Sequence, residues 1–165
     1  SSAGRLAHLS SDRVRKELAG VPAERRAPLT EYSEEASLRT YEELGARAAT
    51  AADRGGAIVD ATFRRRAHRD AFAAGYGSRS PRPVFVECRA PAAVVAERAR
   101  VRELQPRRTS DATTGIALRQ LGEFEPLDEL DPDRHVMVRT DRELDAIVDA
   151  VEAALDARLA RGPTC

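Results

Sequence analysis

No apolar run in the chain approaches the roughly 20 residues needed to cross a bilayer, so no membrane partner is expected. No apolar h-region follows the N-terminus, so nothing reads as a secretory signal. Two cysteines are too few for a disulfide framework. Cys88 lies in an apolar segment and reads as a small buried hydrophobe, and Cys165 is the last residue and reads as a free tail thiol. A reducing, cytoplasmic location is therefore the expectation. Net charge is lacking too. The 27 basic residues balance 27 acidic ones, so no overall field draws the chain to nucleic acid or anionic lipid, and only a local basic patch stays open. Lysine is almost absent: Lys16 is the only one, and arginine carries the rest of the positive charge. The chain opens Ser1-Ser2 without methionine, which reads as a fragment or a processed product.

What is present is an ordinary globular balance. At 165 residues and 18.0 kDa, with 42% hydrophobic and 33% charged residues, the chain is the size of one domain with a proper core. No repeat or long linker is visible. Short apolar runs alternate with helical patterns, the signature of an α/β domain with a mostly parallel sheet. Strands are expected at residues 6–9, 57–61, 84–88 and 135–139, the second of them buried. Helices are expected over 12–19 (stopped by Gly20), from Ser33 to about Arg54, over 64–74, 91–104 and 111–124, and after 143. Ser33 can cap the long helix, with Glu34 and Glu35 in its first turn. Gly75 opens a loop in this reading. Thr140 and Glu143 form a capping box for the last helix, whose apolar stripe Leu144, Ile147, Val148, Val151, Leu155 and Leu159 packs on the sheet.

In parallel α/β sheets, ligands bind beyond the carboxyl ends of the strands. Three polar clusters fall there: Ser11-Asp12 with Arg15, Asp60-Ala61-Thr62, and Arg89 after Cys88. Asp12 and Arg15 lie three apart and share a helix face. They either accept a hydroxyl proton and hold a phosphate, or merely cap the helix and pair with each other. Asp60 ends a strand where an isolated charge is costly, so it either binds something or accepts backbone hydrogen bonds. Arg98, Arg100, Arg102, Arg107 and Arg108 form either a solvated face or a lid closing over phosphates. His8, His68 and His135 have no metal-like spacing and read as structural. Hydrolase, zinc-protease and dinucleotide-binding motifs are absent.

The ordered set of Ser11-Asp12-Arg13-Val14-Arg15-Lys16, Tyr32-Ser33 with Tyr41, Gly55 to Phe63 followed by Arg69, Val86 to Pro91, Arg98 with Arg102, and Ser110-Asp111-Ala112 resembles P-loop kinases of the polynucleotide-kinase, zeta-toxin and gluconate-kinase type. The nearest likeness is to AAA-family ATP-binding domains often fused behind an aminoglycoside-phosphotransferase-like domain, and it runs from Leu6 to Leu155. The resemblance implies one P-loop-kinase-like domain over residues 1–165, a three-layer α/β/α sandwich. It implies ATP and Mg²⁺ as cofactors, and phosphoryl transfer to a hydroxyl of a small-molecule or nucleotide-like acceptor. Asp12 would be the general base, Arg15 and Arg69 would hold the acceptor, and Asp60 and Thr62 would form the floor of the site. Arg98 and Arg102 would reach the nucleotide phosphates as lid arginines.

The sequence departs from that pattern at one point. No stretch reads G-x-x-x-x-G-K-[ST], because Arg15 precedes the single lysine. The first strand and its phosphate loop would then lie upstream of Ser1 or be lost. The chain as given is expected to be inactive alone, and the strands at 57–61 and 84–88 are expected to lie apart or to pair directly. An upstream or fused domain is an implied partner. The other function class is a non-catalytic, degenerate nucleotide-binding-like module with an interaction or regulatory role. Acceptor nucleic acid is disfavoured by the balanced charge.

Overall fold

Parallel strands cannot be joined by a tight turn, so each return to the sheet needs a crossover. The computed structural model describes residues 6–25, 27–105 and 113–159. Strand β1 (Ala7–Ser10) runs into helix α1 (Ser11–Leu18), a 3₁₀ turn (Leu29–Tyr32) and the long helix α2 (Glu34–Ala52), which returns to β2 (Ala57–Asp60). Helix α3 (Arg66–Tyr76) leads to β3 (Phe85–Arg89). Helices α4 (Ala92–Glu103) and α5 (Thr114–Gly122) and a 3₁₀ turn (Pro132–Arg134) then carry the chain to β4 (His135–Arg139), and α6 (Leu144–Leu159) follows. The result is an α/β fold of parallel strands with helices packed around them.

β1 pairs with β2, and β3 pairs with β4, both in parallel, giving two two-stranded sheets. Among the described residues no ladder joins β2 to β3. Of the two arrangements expected for these strands, the structure has them apart. Aromatic packing links the halves: Phe63, just after β2, meets Phe85 of β3 at 5.1 Å and Phe72 of α3 at 5.2 Å between ring centroids, both edge-on. Because β2 has a partner on one side only, it is not the buried strand expected from its composition. Ile58 is 57% exposed.

Local signals account for several helix ends. Ser33 Oγ accepts from the Ala36 amide at 3.2 Å, the expected cap of α2. Gly20, at φ +65, follows α1 in the left-handed region that glycine enters without strain. Two expectations fail. Thr140 does not cap the last helix. Its hydroxyl donates to Arg89 O and accepts from Arg98, so α6 begins at Leu144 instead. The α6 stripe is half-buried at Ile147, Val151 and Leu155, while Leu144 and Val148 are exposed, since only a two-stranded sheet lies beneath it.

Gly75 lies inside α3 rather than opening a loop, and the reason is packing. The core joins α2 to α3 through Tyr41, Leu44, Ala48, Phe72 and Tyr76, with Val14 of α1 beneath. Full burial of Leu44 alone contributes about 1.5–3 kcal/mol. At the crossing the helices touch backbone to backbone. A Cβ on Gly75 would sit 1.9 Å from Glu42 O, and one on Gly45 would sit 2.1 Å from Phe72 O. Glycine weakens a helix interior, but here it allows the close approach. Gly75→Ala is therefore expected to destabilise the domain by about 3 kcal/mol in urea denaturation, and a loss below about 0.5 kcal/mol would contradict the crossing described.

Candidate active site

The parallel register sets Ser10 opposite Asp60. Asp12, in the first turn of α1, and Asp60, with Thr62 two residues on, therefore leave the same carboxyl edge. Asp12 is half-buried in the first turn of its helix. Asp60 is exposed rather than buried, so its charge is not costly there. The end of β3 faces the same region. Partial shielding raises the Cys88 thiol, and the charges of Asp60 and Glu87 add to the shift. Cys88 itself is exposed, contrary to the reading of its apolar neighbours, because alternate side chains of an edge strand turn outward.

Helix α2 connects the two acidic segments. Arg15 does not pair with Asp12. Its Nη1 donates to Glu31 O at 2.6 Å and to Ser37 Oγ at 3.4 Å, and its guanidinium lies 4.9 Å from the centre of the Tyr32 ring. One turn after Ser37, Tyr41 reaches the other strand end. Its Oη accepts from the Phe63 amide at 3.2 Å and lies 3.1 Å from Thr62 Oγ1. Phe63 has φ +45, a left-handed conformation that is strained for an aromatic residue and is held here by that bond and its ring contacts. The Tyr41 ring stacks on His68 at 4.4 Å and 13°.

His68 is buried, and burial pushes its pKa down to about 4. The charges of Arg64, Arg65 and Arg15 push the same way, against Glu34. In sequence this histidine reads as structural, and Ser37 and Arg64 carry no assigned role. The (i, i+4) pair Ser37 and Tyr41 was the available signal, since it marks one face of α2. The sign for stability follows: between the ordinary value of 6.5 and about 4 the unfolded chain binds the proton more readily, so folding weakens as pH falls through that window.

The other candidate residues have separate tasks. Arg69 was expected to hold the acceptor, yet its five N–H groups are all engaged. Nε and Nη2 meet the Glu129 carboxylate, Nη1 donates to Phe63 O and Glu125 O, and Nη2 also donates to Pro126 O. It pins the 125–129 segment to the start of α3. Lys16 is buried and donates from Nζ to Ala23 O at 2.9 Å. Arg98 bonds to Thr140 beyond β4, at the ends of β3 and β4, while Arg102, one turn on, is exposed. Arg100 pairs with Glu97. Arg107, Arg108 and Ser110-Asp111-Ala112 lie outside the described residues, as does Cys165. His135 and Arg89 both meet the buried Glu87 carboxylate, a clamp within the β3–β4 pair. Among the described residues no three His, Cys, Asp or Glu side chains gather as metal ligands.

The protein family described as an AAA domain matches residues 2–127 of this sequence. The chain belongs to that AAA-domain family. Among solved structures, this AAA domain is similar to a gluconokinase from Sinorhizobium meliloti 1021, at 23% identity and a TM-score of 0.61, over 94% of this chain and 79% of that one. That likeness shows a P-loop-kinase-like α/β fold. No curated protein matches the sequence. Among the described residues of the AAA domain no helix is long and apolar enough to cross a membrane.

Removing the Arg69 guanidinium leaves a nearly buried carboxylate and three carbonyls short of donors. Arg69→Met is expected to cost about 3–5 kcal/mol in chemical denaturation at pH 7. Hydrogen bonding from Arg69 holds the Glu129 carboxyl below its usual range, so this contribution is present above pH 4.5 and lost as pH falls through the lowered value. A variant within about 1 kcal/mol of the parent at pH 7 would contradict the pinning role.

Proposed function

We propose that this AAA domain serves phosphoryl transfer from ATP to a hydroxyl of a small-molecule or nucleotide-like acceptor. The observation that carries the reading is the convergence of Asp12, Arg15, Asp60 and Thr62 at one carboxyl edge, tied together through Ser37 and Tyr41 of α2. In this reading Asp12, a carboxylate within a turn of Arg15, takes the hydroxyl proton as general base. Arg15 would hold the acceptor: its Nη1 is engaged with the protein, and its Nε is buried without a hydrogen-bond partner. Thr62 and Asp60 line the exposed floor. Arg98, bonded to Thr140 after β4, and Arg102, exposed one turn on, would meet the donor phosphates in this reading.

ATP supplies the phosphoryl group in this scheme. The sequence has no G-x-x-x-x-G-K-[ST] stretch to cradle its phosphates. The only lysine is buried and donates from Nζ to Ala23 O. Both facts support the expectation that the 165-residue chain is inactive alone, and they favour the second reading, a degenerate nucleotide-binding-like module, for this chain in isolation.

Calorimetric titration of the 165-residue chain with Mg-ATP should show no micromolar binding, and such binding would overturn the isolated-chain reading. In a longer form that turns over, Asp12→Asn should lower kcat by about 10²–10⁴-fold with little change in ATP affinity. An unchanged kcat would remove Asp12 from the mechanism.

A further inference from the structure

Among the described residues, buried side-chain nitrogens without a hydrogen-bond partner belong to three side chains: Nε of Arg15, Nε of Arg64, and both ring nitrogens of His68. Arg15 is bonded to Ser37, one turn of α2 before Tyr41, the ring on which His68 stacks. The three side chains come from α1, from the segment between β2 and α3, and from the first turn of α3. His68 is 3% exposed and Arg15 8%, whereas Arg64 is half-buried. The charges facing His68 are mostly of one sign. Arg15 of α1 and Arg64 and Arg65 of the segment before α3 bring positive charge to bear on it; Glu34 of α2 opposes them but is itself bonded to Arg65 at 2.7 Å, and Glu123 lies 3.6 Å from Arg64 Nη1. Tyr41, also on α2, covers one face of the ring.

The shared deficit identifies the missing chemistry. A guanidinium Nε–H needs an acceptor, and so does the N–H of an imidazole. Three donors in an environment of excess positive charge match an oxyanion, whose oxygens accept from all of them and whose charge offsets the arginines. Water would meet the hydrogen bonds but not the charge.

We propose that His68, with Nε of Arg15 and of Arg64, forms an oxyanion site that takes a carboxylate or phosphate group. That this group belongs to the acceptor rests on the phosphoryl-transfer reading; the site itself does not. His68 stacks on Tyr41, whose hydroxyl holds Thr62, so an anion seated here lies beside the floor on which the acceptor hydroxyl would rest. A negative ligand against the imidazole also favours its protonated form, which donates from both nitrogens. Binding is then coupled to proton uptake, and affinity rises as pH falls below the ordinary histidine range.

Long-range ¹H–¹⁵N spectra of the ring nitrogens test this directly, because the chain has only 3 histidines. His8, which is exposed, and His135, bonded to Glu87, serve as internal controls. Sulfate (a tetrahedral anion that does not titrate here) and formate (a planar carboxylate) are added separately, with sodium chloride at matched ionic strength as reference. A saturable shift confined to His68, with its titration midpoint rising from about 4 by a unit or more, supports the site. Response to sulfate alone identifies a phosphate-type ligand, and response to formate alone a carboxylate. Arg64→Gln, at a half-buried position, should weaken that response at least tenfold. A His68 signal that follows the chloride reference with both anions, or equal affinity in Arg64→Gln, overturns the proposal. No nucleotide enters the measurement. Anion binding to this chain, with no transferase activity in a longer form that binds ATP, would leave the site and remove the kinase reading, and activity of that longer form without an anion response would do the reverse.

Discussion

Where α2 crosses α3, Gly45 and Gly75 each face a carbonyl of the other helix at a distance that leaves no room for a methyl group. Close-packed interiors do not absorb such an intrusion without moving a helix. The crossing sets how far along α2 the side chains of α3 can reach. Tyr41 lies one turn before Gly45, and the first turn of α3 lies two turns before Gly75. The stack of Tyr41 on His68 therefore depends on this contact.

From that contact the rest of the carboxyl edge follows. Tyr41 holds the backbone after β2 by accepting from the Phe63 amide, and Ser37, one turn earlier, receives Arg15 from α1. One helix thus spans the two segments that carry the acidic residues, while the β1–β2 register keeps those segments level. The β3–β4 pair meets this half mainly through Phe63, Phe72 and Phe85, and Arg69 pins the 125–129 segment beneath it. Positive charge predominates around His68 because Arg15, Arg64 and Arg65 all act on it, against Glu34 and the Glu123 carboxylate beside Arg64. A buried imidazole in that field stays neutral, and its nitrogens need an outside partner.

Much of this was legible in the residues. The strand at 135–139 matches β4 residue for residue, and Ser33 caps α2 as its chemistry requires. The order of Asp12, Arg15, Asp60 and Thr62 along the chain was enough to name them, since polar residues at strand ends share an edge when the strands run parallel. Other features depend on tertiary neighbours that a local window does not contain. Gly75 reads as a helix stop until Glu42 O is placed against it. Ile58 and Cys88 read as buried because their strands are apolar, but burial depends on what covers a strand. Arg69 fits a substrate-binding pattern, yet three carbonyls and Glu129, some 60 residues on, take all its donors. His68 has no motif around it, and its role depends on arginines from two other segments.

The central claim is that α2, through Tyr41, holds the Thr62 segment in place, and a double-mutant cycle measures that coupling. Tyr41→Phe keeps the ring against Phe63 and His68 but removes the hydroxyl, and Thr62→Val removes its partner. The unfolding free energies of the parent, both single variants and the double variant are compared at pH 7. A coupling of about 0.5–1.5 kcal/mol is predicted for a part-buried hydroxyl pair. Strict additivity, with a coupling indistinguishable from zero, would contradict the account.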